Sequence, residues 1–292
     1  MSARQTHPLA IAALLLGATA IATSALFVKV SETGPVATAF WRIFLALPCL
    51  WLWSLLAERG RGAGFAANRG LLVATGFFFA GDLAFWHWSI VRTSVANATL
   101  LANLAPIFVA LAAWLLFRQQ LRRKFLFGLA IALTGMTMLI GGDFQLQGSE
   151  LAGDAFGVVT AMFYAGYQIT VTKLRARVAT ATIMAWSGLI TALVLLPLAL
   201  ASGEQLLPVS GTGWVKLIGL ALIAQVAGQS LIAYAMAHLP ATFSSVGLLF
   251  QPVMATLFAW IILGETVSLL QLAGGITVLI GIRLVHLAEN PR

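Results

Sequence analysis

The sequence predicts an all-α integral membrane protein with ten transmembrane helices arranged as two inverted five-helix repeats. Three observations support this prediction: the composition, the spacing of the apolar runs, and a repeat within the chain. Of the 292 residues, 60% are hydrophobic and only 9% are charged. Because an ordinary soluble domain is about 25% charged, this chain has too few charged residues to cover a water-soluble globule.

Ten apolar runs follow one another along the chain. A helix needs about 20 mostly apolar residues to cross a bilayer, and runs of this length are separated here by basic residues, glycine or proline. The first run is longer than the apolar core of a signal peptide, so we expect it to be retained as a helix. The predicted spans are residues 8–29, 35–57, 70–91, 94–117, 125–142, 154–173, 180–201, 215–237, 241–263 and 267–287.

The basic residues gather on one side of the predicted membrane. With the N-terminus in the cytoplasm, 13 of the 17 basic residues fall in cytoplasmic segments, which is a strong positive-inside pattern. We therefore expect both termini to be cytoplasmic, and we interpret the net charge of +8 as a topology signal, not as a sign of nucleic-acid binding. The 13 residues are Arg4, Arg59, Arg61, Arg69, Arg118, Arg122, Arg123, Lys124, Lys173, Arg175, Arg177, Arg283 and Arg292.

The two halves of the chain match each other at an offset of 146 residues. Each half holds five spans, an odd number, so the second half must enter the membrane from the opposite side, as in many secondary transporters. We therefore divide the chain into two repeats, residues 1–146 and 147–292. The matched pairs are Trp88 with Tyr234, Arg92 with His238, Pro106 with Pro252, Trp114 with Trp260, Gly128 with Gly274 and Gly135 with Gly281.

Three ionisable residues, Arg42, Asp82 and His87, lie well inside predicted spans. Such groups are costly in lipid unless they are paired or hydrated. At 1.5 Å per residue, Arg42 and Asp82 lie roughly 12 and 15 Å from the outer ends of their helices, so either an ion pair or a shared water-filled cavity is feasible. The functional interpretations are an anchor for a ligand's amino or carboxylate group and a proton-coupling site. The structural alternatives are a buried pair that fixes helix packing and, for His87, a hydrogen-bonded structural histidine.

Aromatic and polar side chains recur at helical spacing in several spans. Phe78, Asp82 and Trp86 share one face of span three, and a face of this kind suits an apolar ligand with a charged end. Packing between membrane helices would explain each of the other polar faces separately. Because these faces occur on four helices, we predict that they converge on a polar cavity between the halves. They consist of Thr99 and Asn103 on span four, Tyr164, Tyr167 and Gln168 on span six, Gln225 and Gln229 on span eight, and Ser245 on span nine.

Pro106 and Pro252 lie near the middle of spans four and nine. A proline removes a backbone N–H group and frees a carbonyl, which a membrane tolerates only where neighbours or a cavity satisfy that carbonyl. We predict that both prolines act as hinges, with static kinks as the alternative.

The sequence lacks the motifs of membrane enzymes and ATP-driven pumps. It contains no HExxH zinc motif, no GxxxxGK[ST] nucleotide loop, no GxSxG elbow and no histidine and cysteine cluster with metal-ligand spacing. We therefore expect no catalytic residue, no metal and no cofactor. A channel remains open as an alternative to a carrier. The glycine-rich fifth and tenth spans predict close helix approach, either inside one copy of the chain or between two copies in a homodimer.

The segment after span nine contains a distinctive set of residues, namely Gly264, Glu265, Gln271, Gly274 and Gly281. With ten spans in two inverted halves, this set resembles the EamA-like branch of the drug/metabolite transporter superfamily, over essentially the whole chain. The first half departs from the pattern, since Gln119 replaces the glutamate and Phe125 replaces the glutamine. The run of residues 30–36 and the aromatic third span are similar to the YddG-type bacterial aromatic amino-acid exporters.

The resemblance implies a basket of helices around a central cavity lined by spans one, three, four, six, eight and nine. It also implies efflux of a small molecule from the cytoplasm across a bacterial inner (cytoplasmic) membrane. We therefore predict an alternating-access exporter of amino acids that favours aromatic and other apolar ones. The alternative is a broad-specificity exporter of cationic drugs or other metabolites with Asp82 as counter-ion.

Each candidate residue has an expected role in this prediction. Asp82 or His87 would couple protons to transport, unless the protein is a uniporter driven by the substrate gradient. The substrate side chain would contact Phe78, Trp86 and Tyr164 or Tyr167. Its zwitterionic end would be held by Asn103, Gln168, Gln229 and Ser244 or Ser245.

Overall fold

The computed structural model describes residues 8–57, 64–93, 95–140 and 151–289, and helices are the only regular secondary structure in them. The predicted all-α membrane architecture is confirmed, because nine of the helical spans in these ranges are long and apolar enough to cross a bilayer. A further helix, Leu151–Arg175, has sufficient length at 25 residues but a more polar sequence. Several loop charges used to predict the orientation lie outside the described residues, namely Arg4, Arg59, Arg61 and Arg292.

The first half contains five spans whose positions agree with the predicted ones to within a few residues. The largest difference is in the third span, which begins six residues earlier than predicted, at Gly64. The spans are α1 (Pro8–Ala22 continued by Ser24–Lys29), α2 (Pro35–Phe44 and Leu47–Ala57), α3 (Gly64–Arg92), α4 (Val95–Ala102 and Ala105–Leu115) and α5 (Arg123–Ile140).

The second half repeats this order, and its predicted spans also agree with the observed helices to within a few residues. The spans are α6 (Leu151–Arg175), α7 (Thr180–Ala201), α8 (Gly211–Leu220, Ala221–Gln229 and Ser230–Ala235), α9 (Ala241–Gly247 and Phe250–Leu263) and α10 (Leu269–Glu289).

Helices α4 and α9 are each interrupted shortly before a proline. Pro106 and Pro252 have no N–H group for the carbonyl four residues earlier, and the proline ring crowds that carbonyl. These carbonyls belong to Ala102 and Leu248, which lie at the two interruptions. The bends therefore lie where the prolines predict them, and hinge motion at the bends stays a prediction.

Helix α8 widens into a π-helical segment at Ala221–Gln229. Segments of this kind are rare and frequently occur at functional sites. Gln225 and Gln229 both lie in this segment, and both are buried. No residue pattern in the sequence predicts this π-helical segment. Its backbone geometry sets the direction in which the side chains of Gln225 and Gln229 point.

Helices α5 and α10 pack against each other along their glycines. A Cβ atom on Gly135 would lie 2.5 Å from the backbone nitrogen of Val278 and 2.8 Å from the carbonyl oxygen of Gly274. At the other end of the contact, a Cβ atom on Gly128 would lie 3.1 Å from the carbonyl oxygen of Gly281. The two helices therefore run antiparallel, and the glycine-rich faces that allowed for a homodimer contact are used for packing within one copy of the chain.

Replacing Gly135 by alanine is expected to destabilise the protein, because the added methyl group meets backbone atoms that cannot move aside. Overpacking of this kind costs about 1–3 kcal/mol. Gly275→Ala is the matched control, since its Cβ would meet only side chains, at 3.6 and 3.7 Å, and alanine has the higher helix propensity. Thermal unfolding in detergent should show a lower midpoint for Gly135→Ala alone. Equal midpoints for the two variants would contradict the described packing.

Two carboxylates fasten the loops at the end of the bundle where α2 and α8 begin. Glu32 accepts hydrogen bonds from Ser210 Oγ (2.5 Å) and from the backbone N–H groups of Val209 and Ser210 (3.0 Å each). Glu204 in turn accepts hydrogen bonds from the backbone N–H groups of Val36 and Ala37 in the first turn of α2, at 2.9 and 3.2 Å. Carboxylates stabilise helix N-termini because they satisfy free N–H groups and oppose the helix dipole. The loop before α2 thus stabilises the start of α8, and the loop before α8 stabilises the start of α2.

The stability given by Glu32 should depend on pH. The hydrogen bond from the Ser210 side chain, with the backbone bonds, lowers the pKa of Glu32. Its stabilising effect is therefore complete above the ordinary pKa of about 4.3 and is lost as the pH falls through the lowered pKa. We expect Glu32→Gln to unfold at a lower temperature than the wild type at pH 7, and this difference to shrink below about pH 4. Circular dichroism melts at several pH values measure the difference, and a gap that stays constant with pH would refute this account.

Candidate functional site

A central cavity of about 200 Å³ lies between seven helices. Six of them are the helices that the family resemblance implies, and α2 is the seventh. The cavity is therefore bounded by spans from both halves of the chain. Its lining residues include Ile21, Ser24 and Val28 of α1, Thr38 and Arg42 of α2, Phe79, Asp82, Trp86 and His87 of α3, Thr99 and Asn103 of α4, Thr160 and Tyr164 of α6, Gln229 of α8, and Gln251 and Pro252 of α9.

A second, wider space of about 610 Å³ adjoins the central cavity and shares Trp86 and Thr99 with it. This space, the vestibule, ends beside Lys29 and Glu265, whose charged atoms are 2.6 Å apart and whose side chains are exposed. We call this end of the bundle the outer end, in keeping with the predicted orientation. The vestibule therefore lies between the central cavity and the outer end, and Trp86 lies where the two spaces meet.

Aromatic side chains form one wall of the central cavity. Phe79, Trp86 and Tyr164 line it directly. Tyr167 lies beneath this wall, because its ring is stacked on Phe79 at 4.7 Å and on Tyr164 at 6.3 Å between ring centres. The wall is thus a packed stack of rings, and it presents a flat apolar surface to a ligand.

Two charged side chains of opposite sign face the same cavity. Arg42 is buried, and its Nε donates a hydrogen bond to Gln225 Oε1 at 3.2 Å. Asp82 lines the cavity without a hydrogen bond to any described residue. Within the described ranges, no nitrogen of Arg42 lies within ion-pair distance of Asp82. Of the two arrangements that the sequence allowed, the structure shows a shared cavity and no ion pair.

His87 is buried beside the cavity in a defined orientation. Its Nδ1–H donates to the carbonyl oxygen of Leu83 at 2.5 Å. The other ring nitrogen, Nε2, is buried and has no hydrogen-bond partner in the described part of the chain. The hydrogen bond to Leu83 agrees with the structural alternative for His87, a hydrogen-bonded histidine. Proton coupling by His87 stays a prediction.

Amide side chains supply further polar groups of the cavity. Asn103 lies at the interruption of α4, where its Nδ2 donates to the carbonyl oxygen of Thr99 at 2.8 Å. Gln251 Nε2 donates to the hydroxyl group of Tyr164 at 3.3 Å. Gln229 lines the cavity from the π-helical segment, and its Oε1 has no partner among the described residues. The bent and widened helices thus place amides where regular helices would leave apolar walls.

The structure brings six of the predicted binding residues to this cavity and places five elsewhere. Those lining it are Asp82, Trp86, His87, Asn103, Tyr164 and Gln229. Those not lining it are Phe78, Tyr167, Gln168, Ser244 and Ser245. Of the two predicted hinge prolines, Pro252 lines the cavity and Pro106 is buried outside it.

Phe78 points away from the cavity for a packing reason. Its ring occupies the space left by Gly166 on α6, where a Cβ atom would lie 2.6 Å from the ring. It also contacts the ring of Phe163 on the same helix, at 5.9 Å between centres. The cavity face of α3 therefore keeps the predicted Asp82 and Trp86 but presents Phe79 in place of Phe78.

The four remaining residues belong to the inner half of the bundle, which is closed. Tyr167, Gln168, Ser244 and Ser245 are each at most 1% exposed. Both amide atoms of Gln168 and the hydroxyl oxygen of Ser244 have no hydrogen-bond partner in the described residues. A buried polar group without a partner costs about 1–3 kcal/mol. The closed inner half thus holds polar groups that would be better solvated if this end opened.

Sequence reasoning missed several residues of the cavity. Arg42 was considered both as a ligand anchor and as a buried partner of Asp82, but it was not among the predicted binding residues. Gln251 precedes Pro252, so its position next to a helix interruption was a usable signal. Thr38 and Thr160 carried no signal, because single threonines are common in membrane helices and bond their own backbone.

A model of the EamA-like transporter family matches the chain twice, at residues 8–141 and 151–287. The two matches together cover most of the sequence, and each includes one set of five helices. A solved crystal structure superposes on this structure with a TM-score of 0.80, covering 94% of this chain and 96% of the other. The two sequences are 20% identical, so that likeness shows the shared fold alone.

Two of the relatives are named as exporters or probable exporters. A pseudopaline exporter of Pseudomonas aeruginosa is 26% identical to the chain, over 75% of this chain and 77% of its own length. A probable terminal-alkyne amino-acid exporter of Streptantibioticus cattleyicolor is 28% identical, over 68% of this chain and 67% of its own length.

Proposed function

The chain belongs to the EamA-like transporter family and is a multi-pass membrane transporter, and from this premise we propose that it exports amino acids. It favours aromatic and other apolar amino acids, as the YddG-type exporters do. Substrate binds in the central cavity and leaves through the vestibule. The cavity observed at the centre of the bundle supports this proposal most directly.

The lining of the central cavity matches the chemistry of an apolar amino acid. Phe79, Trp86 and Tyr164 offer ring surfaces, and amides and charged groups of both signs lie within the same small space. A zwitterion with an apolar side chain needs this combination.

The named relatives support export of molecules of this class. One is named for an amino acid with a terminal alkyne, and the other for pseudopaline. Each has similarity to more than two thirds of this chain. The relative named for an amino acid supports amino acids as the substrate class. The aromatic lining of the cavity supports the preference for apolar side chains.

Transport proceeds by alternating access between two states of the bundle. In the described state the vestibule lies between the central cavity and the outer end, and buried side chains fill the inner end. Two inverted repeats, residues 1–146 and 147–292, would exchange conformations to reverse this arrangement. The twofold family match, the antiparallel contact of α5 with α10 and the interruptions of α4 and α9 support this mechanism. Pro106 and Pro252 are the proposed hinges.

The proposed location is the bacterial inner membrane, with both termini in the cytoplasm. The distribution of basic residues supports this orientation. Under it, the vestibule opens away from the cytoplasm and the closed half faces the cytoplasm. Reporter fusions to each terminus that are active only in the cytoplasm would test the orientation. Inactive fusions at both ends would show that both termini face away from the cytoplasm, and the proposed direction of transport would then be wrong.

Release of amino acids from cells tests the proposed function. Cells that overproduce the chain and are fed a phenylalanine-containing dipeptide should release free phenylalanine faster than cells without the chain. The dipeptide supplies phenylalanine inside the cell without requiring an importer for the free amino acid. Equal release rates from the two strains, with the protein present in the membrane, would refute amino-acid export.

One observation favours a second candidate function, the export of cationic drugs or other metabolites. Asp82 lines the cavity without a hydrogen bond to a described residue, so it is available as a counter-ion for a cation. In that case the chain would protect drug-sensitive cells from a cation such as ethidium, and Asp82→Asn would abolish the protection. Absence of any protection by the wild type would remove this candidate.

A further inference from the structure

Two charged side chains of opposite sign, the buried Arg42 and the half-buried Asp82, line the central cavity without forming an ion pair. Arg42 is 8% exposed, and Asp82 lies on the facing helix α3. No nitrogen of Arg42 lies within 4.0 Å of an Asp82 oxygen in the described residues. Charged groups inside a membrane protein are normally paired or hydrated because isolated charges are costly there. These two charges therefore have room for partners supplied by a ligand.

We propose that Arg42 binds the carboxylate of the transported molecule and Asp82 binds its ammonium group. The cavity then selects zwitterions over related cations and anions. This assignment rests on the proposed function, since it specifies how the same cavity recognises an amino acid. It replaces Gln168, Ser244 and Ser245 as the predicted anchors of the zwitterionic end, because those residues do not line the cavity.

The contact between Arg42 and Gln225 orients the guanidinium group for this role. Gln225 is fully buried on the π-helical segment of α8, and its Oε1 accepts the Nε–H of Arg42 at 3.2 Å. This bond holds one edge of the guanidinium group and leaves its terminal nitrogens without another hydrogen bond in the described residues. Terminal guanidinium nitrogens form the paired, parallel hydrogen bonds by which arginine binds a carboxylate. The π-helical segment of α8 therefore positions Arg42 through Gln225.

Asp82 is placed to receive the other end of the ligand. It makes no hydrogen bond to a described residue, and it lies one turn from Trp86 on the cavity face of α3. A carboxylate next to an aromatic ring is a favourable environment for an ammonium group, because both the charge and the ring face attract a cation. The ligand's apolar side chain would then lie along Trp86 and Tyr164.

Selectivity follows from the cost of leaving one charge alone. A zwitterion supplies partners to Arg42 and Asp82 together. An amine supplies a partner only to Asp82 and leaves Arg42 buried and unpaired, and a carboxylate alone does the reverse. Sites with buried polar groups discriminate strongly against ligands that leave one of those groups unpaired. The cavity therefore distinguishes amino acids from both their decarboxylated and their deaminated analogues.

Three ligands with the same side chain test the assignment: phenylalanine, phenethylamine, which lacks the carboxylate, and 3-phenylpropionate, which lacks the ammonium group. Binding to the purified full chain in nanodiscs would be measured by titration calorimetry. We expect the wild type to bind phenylalanine about 30-fold or more tightly than either analogue. Arg42→Gln should lose the preference for phenylalanine over phenethylamine. Asp82→Asn should lose the preference for phenylalanine over 3-phenylpropionate.

Arg92→Gln and Glu32→Gln serve as matched controls, because each removes one charge outside the cavity. Both should keep the wild-type order of ligands. If the wild type binds phenylalanine but Arg42→Gln and Asp82→Asn keep the wild-type ratios, the assignment is overturned and the proposed function stands. If the wild type binds none of the three ligands, the proposed function fails as well. Should a variant not fold, the wild-type ratios decide, since equal affinity for all three ligands refutes the proposal.

Discussion

Replacing Trp86 by alanine should weaken the binding of tryptophan or phenylalanine by at least about tenfold, which is about 1.4 kcal/mol. Trp86 lines both the central cavity and the vestibule, so its ring contacts substrate in the bound state and along the exit path. Large aromatic side chains dominate the energy of apolar contacts. Transport should fall together with binding, because the variant loses the ring surface that faces both spaces.

Trp88→Ala is the matched control for this prediction. Trp88 lies two residues further along α3, and its ring packs against Phe85 and Phe156 at 5.4 and 6.1 Å between centres, outside the cavity. Substrate affinity, measured by titration of purified protein with each amino acid, should be lowered only in Trp86→Ala. Unfolding midpoints of both variants separate lost binding from lost folding. Equal affinities for the two folded variants would show that Trp86 does not contact substrate.

A disulfide across the closed inner half should abolish transport, and its reduction should restore it. A Cβ atom on Gly247 of α9 would lie 3.7 Å from Cγ of Leu14 on α1, the position that a cysteine sulfur would take. Leu14→Cys with Gly247→Cys therefore brings two sulfur atoms within reach of each other. The native Cys49 is exposed and would be replaced by serine first. Alternating access requires this contact to separate, so the crosslink should hold the inner end shut.

The crosslinked protein separates binding from transport. Neither Leu14 nor Gly247 lines the central cavity, so substrate should still bind from the outer end. The two single-cysteine variants, treated with the same oxidant, control for effects of oxidation itself. Full transport by protein that mass spectrometry shows to be completely crosslinked would contradict alternating access through the inner half.

The sequence predicted the spans well, because span length and hydropathy are imposed by bilayer thickness. Pro106 and Pro252 likewise marked the bends in α4 and α9, since a missing N–H group has a local effect. The choice of cavity residues was less successful. Several spans carry polar residues on more than one face, and only the packing of neighbouring helices decides which face lines the cavity.

Phe78 and Phe79 illustrate this limit. Both are aromatic and adjacent, and helical spacing alone joins Phe78 with Asp82 and Trp86. The structure directs Phe78 to Gly166 and leaves Phe79 at the cavity. Whether Phe78 or Phe79 faces the cavity depends on where α6 leaves space for a ring. The residue pattern within α3 carries no information about that space.

The proposed mechanism accounts for a second group of residues that do not line the cavity. Gln168, Ser244 and Ser245 are polar residues at helical spacing, as expected for a transport path, but they lie in the closed half. A sequence does not specify which end of a carrier is open. Under the proposed mechanism these residues become accessible when the inner end opens.

Counterflow in liposomes tests the central claim most directly. Liposomes that contain the purified protein and unlabelled tryptophan would be placed in buffer with labelled tryptophan. A carrier with one alternating site should accumulate label transiently above its external concentration, and phenylalanine or methionine should compete. A leak that does not saturate or compete, or no uptake at all by folded protein, would contradict the account of this chain as an amino-acid exporter.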